Sequence, residues 1–481
     1  MSARVFRGSL FRRATTQLGV AGGVTMYNRL LLLPDLREML AAEDAAGVCE
    51  FCEALHAAAV AEVLEGLEVG DVWQVLACCN AERQAEIFSY FDLPDQLELV
   101  QTVPRESFSK LIEAMAPDDR VDLLERLDPE RVEDLLPLVA QAERRDIQRL
   151  LSFPDDSAGS IMTTEYASLP EEASVSEALE QLRQQAPDSE TIYYVYVIDE
   201  GRRLRGFVSL RDLILARPEM CVAEIMEQDV ISVRVDDDQE DVAQRLARYD
   251  FLAIPVVDEQ NQLVGIVTHD DAMDVAQEEA DEDAYRSGAV VPLEDDYLST
   301  PLVTLAWKRG GWLVVLLFAA VLTALALQSL KSDLDAEALQ WMVLFIPLVL
   351  ASGGNAGSQS ATLIVRALAI SQLDRKESLQ VLSRELVLAA LLGGGLAFLS
   401  FLAALWFVDS AAQGAVVGLT VFLVVAMGTV TGAMLPLGFK KMGLDPALMS
   451  NPLIAAVVDV VGVVIYYNVA RIVMGQGVVA G

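Results

Sequence analysis

A single carboxylate interrupts the last apolar segment of the chain. Asp459 lies in PLIAAVVDVVGVVIYY (452–467), and no basic residue lies within one helical turn of it. A carboxylate at mid-membrane depth costs about 2.5–3.5 kcal/mol, so it persists where it lines a water-filled path or meets a cation. A satisfied Asp in a soluble core helix is the alternative, but four other apolar segments precede this one. We therefore predict that Asp459 meets a cation inside a membrane.

An earlier apolar segment carries small and polar residues at membrane depth. PLVLASGGNAGSQSATLIVRALA (347–369) contains Pro347, three glycines and several small polar side chains. Irregular backbone is tolerated at that depth only when it is buried in protein or lines a water-filled cavity. We expect an interrupted helix that lines such a cavity. Close helix packing through small residues is a second reading, and the two are compatible.

Five apolar segments could position these residues, and each is long enough to cross a hydrocarbon core of about 30 Å. Basic residues flank them asymmetrically, which predicts that the N-terminus and the acidic half lie in the cytosol and the C-terminus lies outside the cell membrane. Lys331 and Arg471 alone would then lie outside. The predicted spans are about 311–330, 339–358, 386–408, 415–436 and 452–471. The basic residues placed inside are Lys308, Arg309, Arg366, Arg375, Lys376, Arg384, Lys440 and Lys441.

The net charge of −36 belongs almost entirely to the first 300 residues. That part holds 62 Asp and Glu against 25 Lys and Arg, whereas residues 301–481 hold 9 against 10. Such an acidic surface repels the phosphates of nucleic acid, so nucleic acid is excluded as a partner. Metal cations are its natural counterions.

Cysteine and histidine usage argues against a zinc site and against an enzyme. Cys49 and Cys52 form a CxxC, and Cys78 and Cys79 are adjacent, but no second pair or His follows at zinc-site spacing. Because a closed zinc site needs four ligands, we expect reduced thiols. The two histidines are not accompanied by any nucleophile–base arrangement.

The soluble part divides into four segments of different pattern. Residues 1–29 form a basic arm without a secretory signal. Residues 30–152 repeat short amphipathic helices that should stack as a superhelix. Residues 153–273 repeat a strand–turn–strand–helix unit, with endings GFVSLRD (206–212) and GIVTHDD (265–271). Residues 274–300 begin with an acidic helix and lead to the membrane part, 301–481.

The duplication resembles a tandem pair of CBS domains. In that family such endings place a Ser or Thr and an Asp near the ribose of an adenine nucleotide. The resemblance implies ATP as a ligand, beside Ser209, Asp212, Thr268 and Asp271.

GGNAGSQSATLIVRALA and LDPALMSNPLIAAVVDVVG closely resemble the MgtE magnesium channels, over nearly all of residues 30–475. The resemblance implies a multidomain fold: an α-helical superhelix N domain, α/β tandem CBS domains and an all-α five-helix transmembrane domain. It also implies a homodimer whose pore lies on the two-fold axis, lined by the second and fifth spans. Asp459 of each protomer would hold a hydrated Mg²⁺, supported by Asn355 and the backbone carbonyl of Ala455. This suits an ion that usually keeps several waters and needs few carboxylates.

The same resemblance implies that cytosolic Mg²⁺ closes the channel. Eight acids lie in residues 270–283 without one Lys or Arg, so they should repel one another unless cations screen them. Asp445 and Asn451 would lie at the cytoplasmic mouth of the pore. The implied sensing residues are Asp271, Asp274, Glu279, Glu282, Asp283, Asp238, Glu240, Asp250, Asp118 and Asp122.

Three other classes fit the sequence less well. A secondary transporter for divalent cations would commonly show inverted repeats, which five spans do not readily provide. A chloride channel would not place an Asp on its axis. A nucleotide sensor with a simple membrane anchor would need neither Asp459 nor the unusual second span.

Overall fold

The computed structural model describes residues 25–293, 297, 300–331, 336–369, 378–448 and 451–474. Residues 1–24 of the predicted basic arm, and Arg375 and Lys376 of the orientation argument, lie outside the described residues. The chain divides into two compact units, Met1–Val275 and Ala276–Gly481.

The first unit begins with short helices that pack around one apolar core. Their starts follow local signals: the Asn80 side chain accepts from Arg83 N, and Pro117 and Pro129 each open a helix, where their missing N–H costs nothing. Phe51, Phe88 and other apolar side chains fill the core between the helices. This confirms the predicted helical domain. The helices are α1 (Thr25–Ala41), α2 (Ala45–Ala54), α3 (Ala57–Leu64), α4 (Val69–Leu76), α5 (Ala81–Ser89), α6 (Leu93–Thr102), α7 (Arg105–Ala114), α8 (Pro117–Glu125), α9 (Pro129–Leu135) and α10 (Gln141–Leu150).

Two three-stranded sheets of identical topology follow, which confirms the predicted duplication. In each, the first strand pairs parallel with the second, and the second pairs antiparallel with the third. The strands are β1 (Tyr166–Pro170), β2 (Thr191–Ile198), β3 (Leu204–Ser209), β4 (Val233–Arg234), β5 (Ala253–Val257) and β6 (Leu263–Thr268). The helices between and after them are α11 (Val175–Gln185), α12 (Leu210–Leu215), α13 (Val222–Ile225), α14 (Gln239–Tyr249) and α15 (His269–Ser287).

Among the described residues of the second unit, five helices are long and apolar enough to cross a membrane. Their number agrees with the sequence prediction, although several extend further than the predicted spans. A short 3-10 turn at Pro446–Leu448 precedes the last helix. The helices are α16 (Leu302–Lys331), α17 (Ala336–Ala369), α18 (Ser378–Ala404), α19 (Ala411–Met442) and α20 (Asn451–Met474).

The expected interruption of the second span is wrong, because α17 is one continuous helix with Pro347 inside it. Its small residues instead allow α19 to approach closely. A Cβ added to Gly432 would lie 2.1 Å from the carbonyl oxygen of Gly357, and one added to Gly428 would lie 2.4 Å from that of Gly353. The packing interpretation of these glycines is therefore the one that the structure supports.

Candidate metal-ion sites

Asp459 lies on α20 beside the glycines of α17. Its Oδ1 atom is 4.0 Å from the position that a Cβ on Gly354 would take, and Ala455, one turn earlier, packs against the same glycine. The side chain is half-buried. Within the described part of the chain, Asp459 has no basic partner. A charge in this position is therefore not compensated by any described basic residue.

Polar residues form a stripe along an exposed face of α17. Ser352, Asn355, Gln359 and Thr362 are spaced by three, four and three residues, which places them on one side of a helix. Asn355, Gln359 and Thr362 are exposed, although the helix is long and apolar enough to span a bilayer. Polar side chains at membrane depth face a bundle interior or a water-filled cavity, because lipid cannot hydrogen-bond to them.

Asn451, predicted to lie at the pore mouth, connects the start of α20 to α17 through hydrogen bonds. Its Nδ2 donates to Thr362 Oγ1 at 3.2 Å, and its carbonyl oxygen accepts from Ser358 Oγ at 3.3 Å. The side chain thus positions the two helices that carry Asp459 and Asn355.

Near Asp445, an arginine holds two of the predicted acids together. Arg286, at the end of α15, makes ion pairs with both Glu282 and Asp445. Asp445 Oδ1 also accepts from Ala447 N at 2.7 Å. Burial and the neighbouring Asp445 carboxylate raise the pKa of Asp283. A basic residue, Arg286, therefore follows the acidic run of α15 by about one helical turn.

In the first unit, a cavity of about 810 Å³ is lined by helical-domain and CBS residues and is strongly acidic. Among the described residues that line it, Arg83 is the single basic one. The lining carboxylates are those of Glu82, Glu86, Glu113, Asp118, Asp119, Glu165, Glu190, Asp270, Asp271 and Asp274.

The acidic cavity brings like charges close together in partly buried positions. Burial and the neighbouring Asp271 and Asp270 carboxylates raise the pKa of Glu190 to about 7. Burial and Asp270 likewise raise the pKa of Asp271 to about 6, against the hydrogen bond from Thr268. Burial and the neighbouring Asp271 carboxylate raise the pKa of Asp118 well above its usual range, and its buried Oδ1 has no hydrogen-bond partner among the described residues. Protons or cations would relieve this repulsion.

No three His, Cys, Asp or Glu side chains in the described ranges converge closely enough to hold a metal ion directly.

The structure separates some of the predicted sensing residues. Asp122 is exposed on α8 and does not line the acidic cavity, whereas its neighbour Asp119 does. Asp238 caps the start of α14 by accepting from Glu240 N at 2.9 Å. Asp250 ends the same helix with a φ of 54°, so the 11 residues of the helix separate it from Asp238, and Glu240 lies in the first turn, at the Asp238 end. These three acids therefore cannot form one site within this chain.

Several cavity acids were absent from the sequence prediction. Asp119, Glu165 and Glu190 come from a helix and two loops, and no local motif marks them. Asp274 is exposed on α15 within the cavity lining, and Glu279 lies further along that helix, half-buried. The sequence indicated these cavity acids only through the excess of acidic residues in residues 1–300.

Comparisons with known proteins address the identity of the chain. The magnesium transporter MgtE of Thermus thermophilus is 39% identical over 449 residues, which cover 92% of this chain and 98% of that protein. The chain belongs to the MgtE family. The MgtE of Bacillus subtilis is 35% identical over 78% of this chain and 82% of its own, and that of Enterococcus faecalis is 39% identical over 69% and 72%.

Matches to individual families divide this chain in the predicted order. The MgtE intracellular N domain matches residues 55–156, CBS domains match 158–219 and 222–278, and the MgtE divalent cation transporter family matches 346–469. A crystal structure described as the soluble part of a magnesium transporter is 35% identical and has a TM-score of 0.51. It covers 52% of this chain and 99% of that one.

The two predicted nucleotide-contacting pairs occupy equivalent places in the two CBS repeats of this chain. Ser209 Oγ donates to Asp212 Oδ2 at 2.6 Å and caps α12. Thr268 Oγ1 donates in the same way to Asp271 Oδ2. Asp271 also lines the acidic cavity, so one carboxylate belongs to both predicted sites.

Proposed function

We propose that this protein is a Mg²⁺-selective channel that takes up magnesium and is closed by cytosolic Mg²⁺. The observation that carries the permeation part is the uncompensated Asp459 beside the polar stripe of α17. The names of the relatives, all magnesium transporters, support the choice of ion.

A homodimer would complete the pore. An exposed polar stripe on a membrane helix needs either a partner or water, and a two-fold axis along this face would supply both. Two Asp459 carboxylates would then face each other across a hydrated Mg²⁺, with Asn355 and the carbonyl of Ala455 nearby. One carboxylate from each subunit supplies enough charge for Mg²⁺ but too few oxygens for Ca²⁺.

The acidic cavity would provide the gating charge. At low Mg²⁺ its carboxylates repel one another, which favours separation of the helical and CBS domains that line it. At high Mg²⁺ the ions would screen Asp118, Asp271 and their neighbours, so the compact arrangement becomes the stable one. Asp274, Glu279, Glu282, Asp283 and Asp445 would extend the response along α15, and Asp238, Glu240, Asp250 and Asp122 remain further predicted sensing positions.

The proposed organisation follows from this mechanism. Residues 30–152 and 153–273 would form the cytosolic sensor, 274–300 the connecting helix and linker, and 301–481 the pore in the cell membrane. The C-terminus would then lie outside. ATP binding at the CBS pairs is proposed only as a modulating contact beside Ser209 and Thr268.

Liposome uptake tests the permeation proposal. Asp459→Asn should abolish Mg²⁺ influx, whereas Asp409→Asn makes the same charge change at an exposed position between α18 and α19 and should leave influx normal. Normal flux through Asp459→Asn would remove this carboxylate from the pore. A resolvable single-channel conductance would separate a channel from the alternative, a secondary transporter.

Patch-clamp recording tests the gating proposal separately. Open probability should fall as cytosolic Mg²⁺ rises, and the double change Asp274→Asn with Glu282→Gln should weaken that response. Open probability that ignores cytosolic Mg²⁺ would refute gating while leaving permeation intact.

A further inference from the structure

Two cysteine motifs that are separate in sequence meet in the helical domain. Cys49 and Cys52 lie three residues apart on α2, hence on one side of that helix, and Cys78 and Cys79 follow the end of α4. Cys49 Sγ donates to the Cys78 carbonyl oxygen at 2.8 Å. The Cys52 thiol hydrogen-bonds to Cys79. The fold therefore brings the two cysteine motifs together where α2 meets the turn after α4.

The two members of the Cys52–Cys79 pair differ in reactivity. Cys52 is fully buried, and the hydrogen bond to Cys79 together with burial raises the pKa of its thiol. The same hydrogen bond, with help from Arg83, lowers the pKa of the partly exposed Cys79. Because the thiolate is the nucleophile, Cys79 is the member suited to react first.

Arg83 fixes this arrangement and connects it to the acidic cavity. Its Nε and Nη2 donate to the Cys52 carbonyl oxygen at 3.0 and 2.8 Å, so the guanidinium is anchored on α2. Its Nη1 pairs with Glu86 at 2.5 Å, and both side chains line the acidic cavity. The sulfur pair therefore lies directly behind the cavity wall.

We propose that Cys79 and Cys52 form a reversible disulfide when the protein meets hydrogen peroxide. The Cys79 thiolate attacks one peroxide oxygen; an S–O bond forms, the O–O bond breaks, and the departing hydroxide takes up a proton to become water. The Cys52 sulfur then attacks the sulfenic sulfur; an S–S bond forms, the S–O bond breaks, and hydroxide leaves with the Cys52 proton as a second water. Two electrons pass from the sulfurs to the peroxide, and a dithiol reductant returns both thiols.

A soft-metal site is the rival reading of four neighbouring cysteines. In the described ranges the thiols do not form a group that could hold a metal ion. Pairing of one buried, protonated thiol with one more acidic thiol instead matches an attacking and a resolving cysteine.

Mass spectrometry of the full-length protein in detergent tests the proposal. Free thiols are alkylated after treatment with hydrogen peroxide, and peptides are mapped before and after reduction. We expect a Cys52–Cys79 cross-link in the native protein, its loss in Cys79→Ser and in Cys52→Ala, and its reversal by dithiothreitol. Cys221→Ser, in the CBS region, should retain the cross-link. Differential alkylation of the native chain gives the same answer should Cys52→Ala fail to fold.

Three results would overturn the proposal. Cys79 could oxidise to sulfinic acid with no cross-link, Cys49 and Cys78 could form the sole disulfide, or the native protein could hold stoichiometric zinc that protects all four thiols from peroxide.

Discussion

Replacing Asp271 by Asn should stabilise the metal-free cytosolic unit and reduce its stabilisation by Mg²⁺. Burial and neighbouring carboxylates raise the pKa of Asp271 from 3.8 to about 6. At about 1.4 kcal/mol per unit, this corresponds to an upper bound of about 3 kcal/mol of repulsion at neutral pH. Because the side chain is only half-buried, screening reduces the expected gain to about 1–2 kcal/mol. Asn keeps an acceptor for the Thr268 hydroxyl, so that hydrogen bond survives the change.

Thermal unfolding of the full-length protein in detergent measures both effects. In metal-free buffer the melting temperature of the cytosolic transition should rise by about 2–8 °C. For the native protein, Mg²⁺ at about a hundredfold excess over its dissociation constant should add about 2.7 kcal/mol, and Asp271→Asn should lose a large part of that increment. Asp229→Asn, at an exposed loop position with the same charge change, is the control and should alter neither value.

The pH dependence of the free energy of unfolding independently tests whether the Asp271 carboxylate destabilises the metal-free protein. An acid whose folded pKa is raised binds protons more tightly in the folded state, so its destabilising effect is full above the folded pKa and disappears below the unfolded one. Metal-free native protein should therefore gain stability as pH falls from about 7 to about 4, and Asp271→Asn should gain less. A variant that is less stable than the native protein without metal, or that keeps the full Mg²⁺ increment, would refute this account of the cavity.

Three further outcomes test the second unit. Gly432→Ala would force a Cβ to within 2.1 Å of a backbone oxygen and should cost about 1–3 kcal/mol, whereas Gly438→Ala, with no atom within 4 Å, should not change the melting temperature in detergent. Arg286→Gln removes the basic partner of Asp445 and Glu282. On the proposed gating mechanism, the Mg²⁺ concentration needed for closure in patch-clamp recordings should rise about fivefold, as expected for loss of a partly exposed pair of about 1 kcal/mol; an unchanged concentration would contradict this role. Glu385 is buried and accepts from a serine hydroxyl on α17 at 2.6 Å, so Glu385→Ala should destabilise the membrane domain by about 1–3 kcal/mol, while Glu385→Gln should retain most of the stability because it keeps an acceptor.

Features encoded in contiguous residues were predictable from the sequence. The five spans follow from runs of apolar residues, and the CBS duplication follows from two similar strand–turn–strand patterns. Asp459 was identifiable because a charge is conspicuous in an apolar run. Each of these signals lies within about 20–60 residues, so no knowledge of tertiary contacts was needed.

Features assembled from distant residues were not predictable. The α17 glycines suit both an interrupted helix and close packing, and only their contact with Gly428 and Gly432 decides between the two. The acidic cavity depends on loops that bring Glu190 and Glu165 towards Asp119, with no local pattern. The cysteine motifs likewise became a pair of thiol contacts only through the packing of α2 against the turn after α4.

The positions of the fixed positive charges suggest where Mg²⁺ is needed most. Near Asp445, Arg286 already pairs with two acids, so part of the repulsion is relieved without any metal. Among the described residues that line the acidic cavity, ten carry carboxylates and Arg83 is the single basic one. The Arg83 guanidinium already binds backbone carbonyl oxygens and Glu86. On the proposed mechanism, the cavity therefore gains more free energy from added Mg²⁺ than the segment around Asp445 does, and the Mg²⁺ dependence of closure should follow changes in the cavity more closely. Substitution of Asp118, whose buried Oδ1 has no hydrogen-bond partner among the described residues, should change the Mg²⁺ dependence of closure most strongly.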